Sequence, residues 1–183
     1  WLYLKIQESD AQLKVLLTDD IDLNDGVDPS LMLGTESRPF TGIFDGGYHT
    51  IHYDYDEVTE KWRGLFAFVK DATIRNLRVE GSVDVTQIHY GALIGRGNGT
   101  ILVENVITDV NITGAMNQVT GDAGMIGANY ADITFNNCAT LGEMGFEGSS
   151  MYSPFSGWSS GESKTTLNNC YSTCKLTEGT GTG

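Results

Sequence analysis

Two short patterns recur along the second half of this 183-residue chain at nearly the same interval. The first is an Asn followed by an apolar or thiol residue inside a β-prone stretch: TIRNLRVEGSV (73–83), LVENVITDVNITG (102–114), TFNNCATLGEMG (134–145) and TLNNCYSTCKLTEG (166–179). Its anchors, Asn76, Asn105, Asn137 and Asn169, stand 29, 32 and 32 residues apart. The second pattern is a tetrapeptide ahead of each anchor: GLFA at Gly64, ALIG at Ala92, GMIG at Gly124 and, more loosely, PFSG at Pro154, at intervals of 28, 32 and 30. Two landmarks that keep one period define a repeat of about 30 residues.

A helical repeat of that length would place apolar residues at i, i+3, i+4 and i+7. These pieces are instead short, β-branched and separated by Gly, Asn, Asp and Ser, which is the grammar of strands and turns. A propeller blade needs about 40 residues and four strands. A β-solenoid remains, in which each repeat is one coil that buries its inward side chains only when neighbouring coils cover it. The expected fold is therefore all-β, a parallel β-helix of about five coils, near residues 34–63, 64–91, 92–123, 124–153 and 154–179. Residues 1–33 would supply an opening strand pair, LYLKI and LKVLL, that covers the first coil, and 180–183 a linker or truncated end.

In such a coil the Asn anchors acquire a structural role. Asn tolerates the left-handed backbone of a corner, and its amide can bond its counterpart one rung away, about 4.8 Å distant. The residues that follow, Leu77, Val106, Cys138 and Cys170, would point inward. Leu65, Leu93, Met125 and Phe155 would form a second inward stack, with Phe66, Ile94 and Ile126 on the opposite side of their strands.

PFTGIFDGGYHTI, RGLFAFV, ATIRNLRVEGSV, YGALIG and TILVENVITDVNITG, in that order, resemble the secreted bacterial β-helix proteins that carry GLUG-type repeats. LLTDDIDL (16–23) resembles the strand that commonly precedes those repeats. The resemblance runs from about Lys14 to Glu178. It implies a right-handed parallel β-helix, an extracellular or cell-surface location and no cofactor. Domains of this kind serve as stalks, adhesins and appendages of larger surface proteins, so the expected function is a structural or adhesive module.

Charge narrows the partners. A formal net charge of −13, with 11 basic residues scattered along the chain, argues against nucleic acid and against a negatively charged membrane surface. No apolar run approaches the ~20 residues of a membrane span. Self-association, other surface proteins and glycans are the expected partners. The chain starts at Trp1 without an initiator Met, as a processed chain or an excised fragment would.

Candidate sites are few. The run DDIDLNDGVD (19–28) is acidic, but an EF-hand counted from Asp20 would need Gly and Glu where Asp25 and Leu31 stand. A looser calcium site from Asp20, Asp22, Asn24 and Asp28 competes with a simpler expectation, carboxylates that cap backbone amides. In FDGGYHTI, Asp45 should cap the Gly46-Gly47 turn, Phe44 should plug the interior and His49 should buttress the following strand. His52, Asp54 and Asp56 alternate with Ile51, Tyr53 and Tyr55 and should form a solvated face.

A polysaccharide-cleaving enzyme would need a paired acid or basic groups for an acidic sugar. The Asn-Thr-Asp, His-Gly and Arg-Ile-Lys motifs of the β-helix pectin hydrolases are absent, and no enzymatic activity is expected. GRGNG (95–99) lacks the helix and Lys of a phosphate cradle. Tyr152, Phe155 and Trp158 lie in a Ser/Gly-rich stretch read as an insertion; they would either stack on sugar rings or cover the core. The alternative function is thus a carbohydrate-binding or carbohydrate-cleaving β-helix domain.

The three cysteines have no zinc-ligand spacing. Cys170 and Cys174 would lie about 13 Å apart along an extended strand, too far for a disulfide. Cys138 and Cys170 should stack on adjacent coils as free, buried thiols, with Cys174 more accessible.

Overall fold

The computed structural model describes residues 13–24, 32–115, 121–147 and 152–178. The LYLKI strand, Asp28 and the terminal 180–183 segment lie outside them. Among the described residues there is no helix, and hence none long and apolar enough to cross a membrane. The strands are β1 (Leu13–Leu16), β2 (Ile21–Asp22), β3 (Phe40–Val58), β4 (Phe66–Val85), β5 (Ile94–Ala115), β6 (Asp122–Ala123) and β7 (Ile126–Asn136). They continue with β8 (Ala139–Leu141), β9 (Glu143–Glu147), β10 (Tyr152–Ser153), β11 (Ser156–Ser159), β12 (Lys164–Asn168), β13 (Tyr171–Ser172) and β14 (Lys175–Glu178).

Every pairing among the described residues is parallel, and successive repeats pair with one another. β3, β4 and β5 each span most of one coil. The next coil is broken into β7, β8 and β9, and the last into β11 to β14. The fold is a β-solenoid of about five turns. β1 and β2 run parallel on β3, so residues 13–24 form a partial rung of the same stack.

Register explains the core. Phe44, Ile74, Val103 and Phe135 fall in line across four rungs, as do Tyr55, Val83, Ile112 and Met144, and all eight are buried. Leu77, Val106 and Cys138 form a third buried file. Phe66 closes on Phe40 and Phe44 at centroid distances of 5.2 and 5.1 Å. The Tyr53 hydroxyl donates to the Ala92 carbonyl at 2.8 Å and meets the Tyr90 hydroxyl at 2.8 Å, and burial pushes its pKa up.

Leu65, Leu93 and Met125 are buried, and so are Phe66, Ile94 and Ile126, the file expected on the opposite side of the strands. The strands begin at a bend, and the preceding loops cover its outer side. A Cβ on Gly95 would strike the Trp62 backbone, and one on Gly127 the His89 backbone.

Candidate functional site: the outer face and its corners

The corner Asn residues behave as the repeat implies. Asn76, Asn105, Asn137 and Asn169 all adopt left-handed backbone, with φ of 52–53°. Each amide nitrogen donates to the preceding rung: Asn169 to Asn137 Oδ1 at 2.7 Å, Asn137 to Asn105 at 3.2 Å and Asn105 to Asn76 at 2.9 Å. Asn76 donates to Asp45 Oδ1 at 3.0 Å, so a carboxylate heads the ladder. Asp45 also accepts from the Gly47 N–H at 3.1 Å and pairs with Arg75 at 2.8 Å. The Asn76 amide, then the Gly47 N–H and the Arg75 side chain, hold the Asp45 carboxyl below its usual range. A second ladder runs beside the first, from Asn168 to Asn136 at 2.9 Å and from Asn136 to Glu104 at 3.3 Å.

Three residues of the acidic run join the same scheme. Asp20 Oδ1 accepts from the Thr50 N–H at 2.8 Å and lies 3.3 Å from His49 Nδ1. That N–H, and then His49, keep the Asp20 pKa low. His49 therefore reaches back to the partial rung, just after the register shift between Asp45 and His49. Asp22 Oδ1 caps the Asn24 N–H at 2.9 Å. Asn24 exchanges two bonds with Asp54, at 2.8 and 3.1 Å. Asp54 also accepts from Ser82 Oγ at 2.6 Å and lies 3.0 Å from His52 Nε2; the Ser82 hydroxyl and then His52 hold it low. These oxygens are spread along a file and spent on neighbouring rungs. Among the described residues no three His, Cys, Asp or Glu side chains assemble as metal ligands.

The aromatic trio divides. Its residues belong to the last rung rather than to an insertion: Tyr152 pairs with Asp122, and Trp158 with Ala128. The Tyr152 hydroxyl donates to the Thr177 carbonyl at 2.9 Å, and its ring packs on Phe146. Phe155 packs edge-on against Phe135. Both cover the core. Trp158 alone reaches the outer face, 4.9 Å from the Tyr130 ring and 5.8 Å from His89.

That face holds residues the sequence did not single out. Phe68, Arg96, Ala128 and Trp158 form one file; Lys70, Asn98 and Tyr130 form the file two residues on. The Arg96 guanidinium sits 5.0 Å from the Trp62 ring and 4.5 Å from the Tyr130 ring, and Nη1 donates to Glu36 at 3.0 Å. Trp62 and His89 both have positive φ, 57° and 64°, a strain that tends to mark functional positions. Trp62 Nε1, His89 Nδ1 and Arg96 Nε are buried without a hydrogen-bond partner among the described residues. Burial, helped by the charges of Lys61 and Arg96, lowers the His89 pKa and favours the neutral imidazole.

A legible signal did exist. Trp62 stands two residues before the landmark Gly64 and His89 three before the landmark Ala92, in KWRGLFA and IHYGALIG. Beside this stack a polar cleft of about 390 Å³ opens between the loop at residues 35–39 and the outer face, with Glu36, Ser37, Phe68, Lys70, Arg96 and Asn98 in its walls. No protein-family model matches the chain, and no curated protein and no solved structure matches it either.

Proposed function

We propose that this β-solenoid is an extracellular structural or adhesive surface module, a stalk, adhesin or filament subunit. The carrying observation is the state of the last rung. Leu167 and Leu176 stack on Phe135 and Met144, which are fully buried, yet are themselves 47% and 50% exposed. Asn168 and Asn169 donate backward through Nδ2, and their side-chain Oδ1 atoms have no donor among the described residues. An edge with inward apolar side chains and open ladder acceptors is a template for one more rung. Another copy of the chain can supply the rung that completes it. The surface location and lack of cofactor rest on the resemblance to GLUG-repeat β-helix proteins, and the charge of −13 would keep such rods apart.

Light scattering and electron microscopy of the purified chain test this. Concentration-dependent end-to-end association is expected, and a Leu167→Lys, Leu176→Lys variant with the same circular dichroism should stay monomeric. A parent chain that remains monomeric at every concentration, with its last rung protected from hydrogen exchange, would overturn the proposal.

The cleft between residues 35–39 and the outer face favours a second reading, a carbohydrate-binding role without cleavage.

A further inference from the structure

We infer that the cleft over Phe68 binds an acidic sugar unit, a ring bearing one carboxylate, such as a uronate at the end of a short glycan. This rests on the carbohydrate-binding reading and adds the ligand class. The cleft volume, about 390 Å³, falls at the lower end of the range of small-molecule sites. Its walls are fixed before any ligand arrives. The loop at 35–38 is closed by reciprocal bonds, Thr35 N–H to the Arg38 carbonyl at 2.9 Å and Arg38 N–H to the Thr35 carbonyl at 3.1 Å. Arg96 is clamped between two rings and tied to Glu36, so the Glu36 carboxylate is held at the rim. Such preorganisation reduces the ordering cost of binding.

The polar groups then select the ligand. Glu36 is exposed and anionic, and carboxylates accept from hydroxyls on neighbouring carbons. The Asn98 amide offers both donors and an acceptor to the same cleft, and no hydrogen bond occupies its side chain among the described residues. Phe68, half-buried and edge-on to Trp62, supplies an apolar floor for the C–H face of a ring.

Charge decides between neutral and acidic sugars. Glu36 already neutralises Arg96, but Lys70 is exposed and has no carboxylate partner among the described residues. A single ammonium beside hydroxyl-binding groups matches a ring with one carboxylate. A long polyanion would meet the net charge of −13 beyond the cleft, whereas for a short ligand most of that repulsion is screened at about 8–10 Å.

Isothermal titration of the whole chain with a trisaccharide that carries one terminal galacturonate and with its carboxyl-reduced, neutral counterpart tests the inference. The acidic probe should bind at least about tenfold tighter. Lys70→Ala should abolish that preference and leave the neutral affinity unchanged. Glu36→Gln and Asn98→Ala should weaken both probes, and Lys164→Ala, on the last rung, should change neither. Equal binding of the two probes, or a preference that survives Lys70→Ala, overturns the acidic-sugar inference and leaves carbohydrate binding standing. Failure of both probes to bind defeats both.

Discussion

At the scale of the residue, a corner Asn does two separable things. Asn105 holds a left-handed φ of 52° and joins its neighbours on both sides, donating to Asn76 and accepting from Asn137. Left-handed backbone costs an ordinary L-residue roughly 1–2 kcal/mol, and each net hydrogen bond contributes about 1 kcal/mol. Asn105→Ala loses both terms and should destabilise by about 2–4 kcal/mol. Asn105→Gly keeps the backbone conformation and loses only the ladder, so roughly half that cost is expected. Urea denaturation of the two variants checks the difference. Equal losses would mean that only the ladder matters, and an unchanged Asn105→Gly that only the backbone does.

At the scale of the element, the first coil is fastened differently from the later ones. Its corner is longer: β3 shifts register between Asp45 and His49, with Gly47 and Tyr48 both at positive φ. Carboxylates replace the amides there. Asp20, Asp45 and Asp54 each bridge to another rung, and each has a pKa below its usual value. A carboxyl whose folded pKa is depressed stabilises the fold fully above its unfolded value, near 3.9, and loses that contribution as pH falls through the folded value. Thermal unfolding should therefore be insensitive to these groups from pH 7 to about 4 and should drop below that. Asp45→Asn gives up the Arg75 ion pair and should be less stable at pH 7. Its acid loss should be shallower, so the two melting curves approach each other near pH 2. Parallel curves at all pH values would remove Asp45 from the acid response.

At the scale of the whole molecule, the described stack is buried in its middle and more exposed at its last described rung. All three cysteines are free, and their exposure follows that gradient. Cys138 is buried beneath the final coil, its thiol pushed up to about 12 mainly by burial. Cys170, one rung further, is only half-buried because nothing described lies over it, which corrects the expectation that it would be as buried as Cys138. Burial, then the Glu143 carboxylate, raises the Cys174 pKa. Thiol titration of the native protein should modify Cys170 and Cys174, both half-buried, and reach Cys138 only after unfolding. Protection of Cys170 in concentrated solution would show that another rung covers it.

The sequence by itself determined the period, the solenoid, the corner ladder and most inward files. All of these follow from residues at matched positions one repeat apart, and parallel stacking brings those positions together whatever the loops do. It also foretold the Asp45 cap and the burial of Phe44. Only the tertiary structure decided the outer face. Arg96 meets Glu36 across 60 residues of chain and Trp62 across 34. Those contacts depend on how loops of unequal length fold over a corner, and the repeat period does not encode that. For the same reason Trp158 parted from Tyr152 and Phe155: a side chain's direction at a bend is set by the packing around it, which local alternation cannot supply.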